Sequence, residues 1–199
     1  MTRRSALAAV GIAAVAAAGL AAMGRSWWCA CGSPLLSWGG PWSWDIWSEH
    51  NSQHLVDPYA FTHVQHGVLF YLVLRLVLGA RRADLRFGLA LGIEALWEIV
   101  ENTDAVIQRY RETTISLDYY GDSIANSLSD LAMCAIGFTL ARKLPAWITV
   151  TGYVAVELGL LATIRDSLTL NVVMLVAGGS PLGEAIAAWQ SGGRPGAGP

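Results

Sequence analysis

The side chains able to do acid–base or metal chemistry are concentrated in a few short stretches. All four histidines, His50, His54, His63 and His66, fall within seventeen residues, with Gln53 and Asp57 among them. Glu94, Glu98 and Glu101 stand at i, i+4 and i+7, which on a helix forms a single stripe. Asp122, Asn126 and Asp130 make a second stripe, with Ser123 and Ser127 beside it, and Tyr59, His63 and His66 make a third. Neutral imidazole and carboxylate together suit Zn, Mn or Fe. His63, His66, Glu98, Glu101 and Asp122 are therefore candidate metal ligands, and Glu94 or Asp130 a candidate catalytic general base. His50, His54, Asp57, Asn126, Arg165, Asp166 and Asn171 are candidates for the rest of the polar cavity. The E-x-x-H element of four-helix carboxylate centres is absent. Two other readings stay open. One is an ion-paired core, with Arg165 on Asp166, Arg109 or Arg111 on Glu101 or Asp122, and histidines paired with carboxylates. The other is an organic-ligand site or proton pathway. The cofactor is left open, a divalent metal such as Zn being the one considered.

These stripes need helices to carry them, and the composition says which kind. Of 199 residues 54% are apolar and only 14% charged, against about 25% charged in a soluble domain. A disordered chain is excluded. A net charge of −2 gives no basic field for nucleic acid. Apolar runs at 5–23, 61–79, 87–101, 123–141 and 146–164 predict membrane helices of about 20 residues each. Residues 168–178 are too short to span alone. With 179–189 they predict either a span broken at Gly178–Pro181 or a re-entrant segment followed by an interfacial helix. The expected fold is all-α: a multi-pass transmembrane helical bundle of five to six membrane segments with short loops. Its divisions are an N-terminal anchor or signal-like segment (1–24), a Trp-rich outer segment (25–60), the bundle with its polar cavity (61–190) and a flexible tail (191–199). For residues 5–23 an uncleaved anchor is preferred to a cleaved signal peptide. Acids facing lipid would cost about 2.5–3.5 kcal/mol per charge, so the stripes are expected to face one another around a cavity open to the outer side.

Short basic loops set the orientation. Arg3, Arg4, Arg81, Arg82, Arg86, Arg142, Lys143 and Arg194 fall on one side, with Arg75 reaching toward it. Only Arg25, Arg109, Arg111 and Arg165 fall on the other. The first side is read as cytoplasmic, which places the chain in a bacterial inner membrane with its N-terminus inside. Trp27, Trp28, Trp38, Trp42, Trp44 and Trp47 then read as an outer interfacial belt. Asp104, Glu112 and Asp118 read as a solvated face, and Glu157 as a lone acid in mid-span. A disulfide across the one-residue gap between Cys29 and Cys31 would be strained, so the pair reads as two thiols. Cys134 reads as a small buried hydrophobe. No nucleophile elbow, P-loop or H-E-x-x-H motif is present.

Four runs carry a family resemblance: SQHLVDPYAFTHVQHG (52–67), EALWEIVENTDAVIQRYR (94–111), TISLDYYGDSIANSLSD (114–130) and IRDSLTLNVVML (164–175). They resemble the UPF0314 proteins of bacterial membranes, also described by a DUF2585 domain, over roughly residues 45–190. Pro58 departs from the aromatic expected after the Asp. The resemblance implies an inner-membrane location and no assigned activity. Three functions are compatible with these residues: a metal-assisted enzyme acting on a lipid or envelope substrate, a non-enzymatic ion- or ligand-binding protein, and a structural protein. The expected partner is the bilayer, and a homo-oligomer or a membrane-complex partner is left open.

Overall fold

A computed structural model describes residues 2–29, 42–116 and 118–193. Among them eight helices run in the order α1 (Arg3–Ala22), α2 (Ala60–Leu78), α3 (Ala83–Glu101), α4 (Asp104–Thr113), α5 (Ile124–Lys143), α6 (Ala146–Ile164), α7 (Leu168–Ala177) and α8 (Pro181–Ser191). The fold is an all-α bundle. Several starts are fixed by side-chain caps, which satisfy backbone N–H groups that the first turn leaves unpaired. Thr2 accepts from Ser5 N, Ser123 from Asn126 N, Ser167 from Leu170 N and Ser180 from Gly183 N. Gly79, at φ 71°, ends α2, and Pro145 separates α5 from α6.

Four helices, α1, α2, α5 and α6, are long and apolar enough to cross a membrane. Helix α3 is of the same length as α2 but carries five ionisable residues, and its pattern is inside out. Arg86, Glu94 and Glu98 are buried, while Leu89, Ile93, Leu96 and Val100 are exposed. A soluble helix turns its apolar stripe inward; here the charges are inside and the hydrocarbon outside, as lipid requires. Helix α4 lies between the expected spans at 87–101 and 123–141. It has no long apolar run, only Ile107 and Tyr110 on one face, and these pack on Tyr119 with Leu175 of α7 beside them.

The bundle has two chemically distinct ends. At one, the Ser5 hydroxyl donates to Asp84 at 2.6 Å, and Ser5, Phe87, Arg142 and Lys143 surround a small pocket. At the other lie Glu101, Asp122 and Asp166. Helices α7 and α8 form a hairpin that returns to its starting end, because Gln190 Nε2 donates to both Arg165 O (3.0 Å) and Asp166 Oδ1 (3.2 Å). A continuous broken span would carry Gln190 away from Arg165, whereas here the two segments double back on each other. The hairpin also brings Gly193 against Arg165. That places the last described residues at the Arg165 end, opposite the end with which the tail had been grouped. Arg194 itself, like Trp38 and Cys31, lies outside the described residues.

The centre is the crossing of α2 and α5. Gly67 and Gly137 face each other's backbone there: a Cβ on Gly67 would overlap the Cys134 carbonyl, and one on Gly137 would overlap the Val64 carbonyl. Small residues allow such close approach in lipid, where burial of apolar surface gives no drive between helices. Below the crossing Val68, Tyr71, Phe87, Ala90, Leu91, Cys134 and Phe138 pack together. Helix α1 adds Ala16 against Ala95 and Leu131, and Leu20 against Ile124. Gly137→Ala is expected to destabilise the detergent-solubilised protein by about 1–3 kcal/mol through overpacking. Thermal unfolding followed by circular dichroism checks this, and an unchanged midpoint would mean that α2 and α5 do not touch at this level.

Candidate metal centre

Three helices bring their stripes together at the end of the bundle that holds Glu101, Asp122 and Asp166. His63 and His66 occupy the first two turns of α2 and share one carboxylate of α3. His63 Nδ1 lies 2.5 Å from Glu94 Oε1, and His66 Nδ1 lies 3.1 Å from Glu94 Oε2. Because Glu94 is an acceptor, each imidazole donates from Nδ1, which leaves Nε2 with a lone pair in the neutral ring. For His63 that atom lies 3.8 Å from Asp130 Oδ2 on α5. Its other nitrogen is 3.5 Å from Glu98 Oε1. Two acceptors thus face each other with nothing between them that donates. Glu98 is 0% exposed, and neither of its oxygens has a hydrogen-bond partner. Asp130 Oδ1 and Ser127 Oγ are orphaned in the same way. Buried carboxylate oxygens without donors carry the full desolvation cost. His63, Glu98 and Asp130 each offer a ligand atom within 4.8 Å of the other two.

A second triad adjoins the first through Glu98. Glu98, Glu101 and Asp122 also bring ligand atoms within 4.8 Å of one another. Asp122 is held by a reciprocal clamp: Asn102 Nδ2 donates to its Oδ2, and Asp122 N donates to Asn102 Oδ1, both at 2.7 Å. The Tyr119 hydroxyl donates to the other carboxylate oxygen at 2.9 Å. The turn that aims Asp122 depends on Gly121, whose φ of +102° favours glycine and whose Cβ position is crowded by Arg25 and Asn102. Glu101 accepts from Tyr110 and Trp97.

Both triads border a cavity of about 350 Å³. Polar lining comes from His63, His66, Glu101, Tyr110, Asp122 and Asp130. Apolar lining comes from Phe70, Ile93, Trp97, Leu168, Val172 and Leu175. Two of the lining residues, Ile93 of α3 and Val172 of α7, are exposed.

The remaining expected residues fall into two neighbouring clusters. His50 and His54 lie apart from His63, with ring centroids 5.6 Å from each other, and His50 Nδ1 is 3.7 Å from Cys29 Sγ. Cys29 is disulfide-bonded, which corrects its reading as a thiol; its sulfur is therefore already committed in this state. Asn126 joins this cluster to α5 by donating to His54 O at 2.7 Å. Asp57 caps α2 by accepting from Ala60 N at 3.1 Å. Burial pushes its pKa up to about 6 against the pull of the Ala60, Tyr59 and Ser52 amides. Burial likewise raises Asp122 to about 6, with Tyr119 and Asn102 opposing it.

Asp166 anchors the second cluster. It accepts from Tyr59 OH (3.0 Å), Ser167 N (2.9 Å), Gln190 Nε2 and Asn171 Nδ2 (3.4 Å). Its partners are neutral, which corrects the expected Arg165–Asp166 pair; the histidine–carboxylate pairs of the same reading do form, at His63 and His66. Arg165, at φ 54°, instead donates to Trp189 O at 2.9 Å and stacks on the Trp189 ring. Arg109 donates to Leu175 O. Glu157, the single acid of α6, accepts from Gln65 Nε2 of α2 at 3.0 Å.

Asn102, Tyr119 and Tyr110 were missed as site residues, and Tyr59 was read only as a member of the histidine stripe. For Asn102 a signal existed: it extends Glu94 and Glu98 by another i+4 step, which a search for ionisable groups alone passes over.

Asp166 gives a pH dependence. Burial holds its pKa at about 6, above the ordinary value of 3.8. The folded state therefore binds the proton more tightly, and stability falls as pH rises from about 4 through about 6. The loss amounts to about 3 kcal/mol. In thermal unfolding of the detergent-solubilised protein between pH 4 and 7, Asp166→Asn is expected to make the slope shallower, the rest belonging to Asp57 and Asp122, which are raised to about 6 as well. A variant with the full parental slope would assign the titration elsewhere.

The comparisons with known proteins agree on one family. The family described as "Protein of unknown function (DUF2585)" matches residues 20–192. A UPF0314 protein of Sinorhizobium fredii is 46% identical over 94% of this chain and 90% of its own. One from Rhizobium meliloti is 46% identical over 96% and 93%, and one from Sphingopyxis alaskensis 43% identical over 97% and 98%. No solved structure matches. With a match across most of its length and relatives aligned nearly end to end, the chain belongs to the UPF0314 family, the family of the DUF2585 domain.

Proposed function

We propose that this chain is a multi-pass protein of the bacterial inner membrane, with its N-terminus in the cytoplasm, that holds a divalent cation such as Zn between His63, Glu98 and Asp130. The observation that carries the reading is Glu98, fully buried with both oxygens lacking a donor, beside a histidine whose Nδ1 is already engaged by Glu94. An imidazole that donates one N–H to a carboxylate and presents the other nitrogen is the usual arrangement of a metal-bound histidine. Glu94 is then the group that orients His63 and His66, Asp130 is a ligand, and His66 stands at the cavity wall to carry protons to and from Glu94. A cation here would supply Lewis-acid activation of water or of a substrate oxygen.

The substrate class is amphiphilic, drawn from the lipid or envelope components of the outer leaflet. The cavity supports this by combining the carboxylate–imidazole wall with Ile93 and Val172, which are also exposed to the surroundings of the bundle. The orientation rests on Arg142 and Lys143 gathering with Ser5 and Phe87 at the end opposite the acids, as the positive-inside rule requires.

The test is Zn binding to full-length protein in mild detergent after chelator treatment. The parent is expected to bind Zn, His63→Ala to lose it, and Glu94→Gln to bind about 10–100-fold more weakly while remaining folded. A parent that takes up neither Zn nor Mn, or a His63→Ala variant that binds as the parent does, would sink the reading.

A further inference from the structure

We infer that the centre holds two cations, not one, with Glu98 bridging them. The inference rests on the cation reading above and extends it to the second triad. Three observations point there. First, Glu98 is the residue common to both triads, His63–Glu98–Asp130 and Glu98–Glu101–Asp122. Second, both of its oxygens are buried and without hydrogen-bond partners. A single ion at the first triad occupies one of them and leaves the other as costly as before; a second ion between Glu101 and Asp122 satisfies it. Third, the carboxylates are held in place by neutral groups. Asp122 takes Tyr119 and Asn102, Glu101 takes Tyr110 and Trp97, and the ion pairs of Glu94, Glu98 and Asp130 all run to His63 and His66. Neutral donors fix the position of a carboxylate without cancelling its charge, and the charge is what a cation binds.

The two positions differ in chemistry. The first offers an imidazole nitrogen and two carboxylates, a set that suits Zn, Mn or Fe. The second offers carboxylate oxygens alone, a harder set that suits Mg or Mn. A shared carboxylate sets two such ions about 3.5–4 Å apart. The second position is the one nearer the helix end and the half-buried Glu101, so it is the more easily emptied.

Manganese tests this because it suits both positions and reports its own spacing. Full-length protein in mild detergent, stripped with chelator and reloaded with Mn, is expected to hold two Mn per chain. Its low-temperature electron paramagnetic resonance spectrum is expected to show exchange coupling. Glu101→Gln, at the cavity rim, should hold one Mn per chain and give the six-line spectrum of an isolated ion. Excess Mg should release one Mn of the two. Glu98→Gln should lose both, and if that variant does not fold, Glu101→Gln and the coupling carry the test alone. One Mn per chain in both the parent and Glu101→Gln overturns the second position and leaves the single-ion reading standing. Two Mn per chain without coupling overturns the bridge. No Mn or Zn uptake by the parent overturns the single-ion reading, and the pair falls with it.

Discussion

The architecture depends on how closely α2 and α5 approach. Gly67 and Gly137 remove the two side chains that would hold these helices apart, and the backbones meet where the side chains are missing. Helix α2 brings His63 at that distance and α5 brings Asp130, one turn or so from the contact on each helix. Separate the crossing by a methyl group and the 3.8 Å spacing between His63 Nε2 and Asp130 Oδ2 is lost before any ligand is considered. Close packing of this kind is stiff, so the geometry of the polar end is set by a contact that has no polar side chain in it.

Helix α3 supplies the other half of the constraint. Its acids cannot face hydrocarbon, and its exposed leucines, Ile93 and Val100 have no reason to face anything else. Rotation of α3 about its axis is thereby fixed by energy on both sides. Glu94 and Glu98 both lie on the inward stripe, but Glu94 is hydrogen-bonded to both imidazoles whereas Glu98 approaches only His63 Nδ1, at 3.5 Å and without a hydrogen bond. The unpartnered oxygens of Glu98 are what favours the cation reading over a network closed on itself.

Much of this was legible in the sequence because it follows from period and solvent. The i, i+4 spacing of Glu94 and Glu98, and of Asp122, Asn126 and Asp130, defines stripes whatever the tertiary fold, and lipid forbids them from facing outward. That argument delivered His63 beside Glu94 and Glu98. Helix α4 was invisible because a short outer helix has no apolar run to announce it. Tyr119 and Tyr110 were invisible because neutral donors look alike in a loop and in a site; only the fold shows that they hold Asp122 and Glu101. The pairing of Arg165 was misjudged for a related reason. A left-handed residue at a helix end points its side chain back along α8, and adjacency to Asp166 in the chain does not survive that turn. The separation of His50 and His54 from His63 was likewise beyond spacing, since the segment joining them is not a helix.

The return of α8 to Asp166 works as a latch. Gln190 is fully buried and gives its amide to Asp166 and to the Arg165 carbonyl, while the Tyr59 hydroxyl reaches the same carboxylate from the start of α2. One carboxylate thus fastens the hairpin of α7 and α8, and with it the apolar wall of Leu168, Val172 and Leu175, to the helix that carries both cavity histidines.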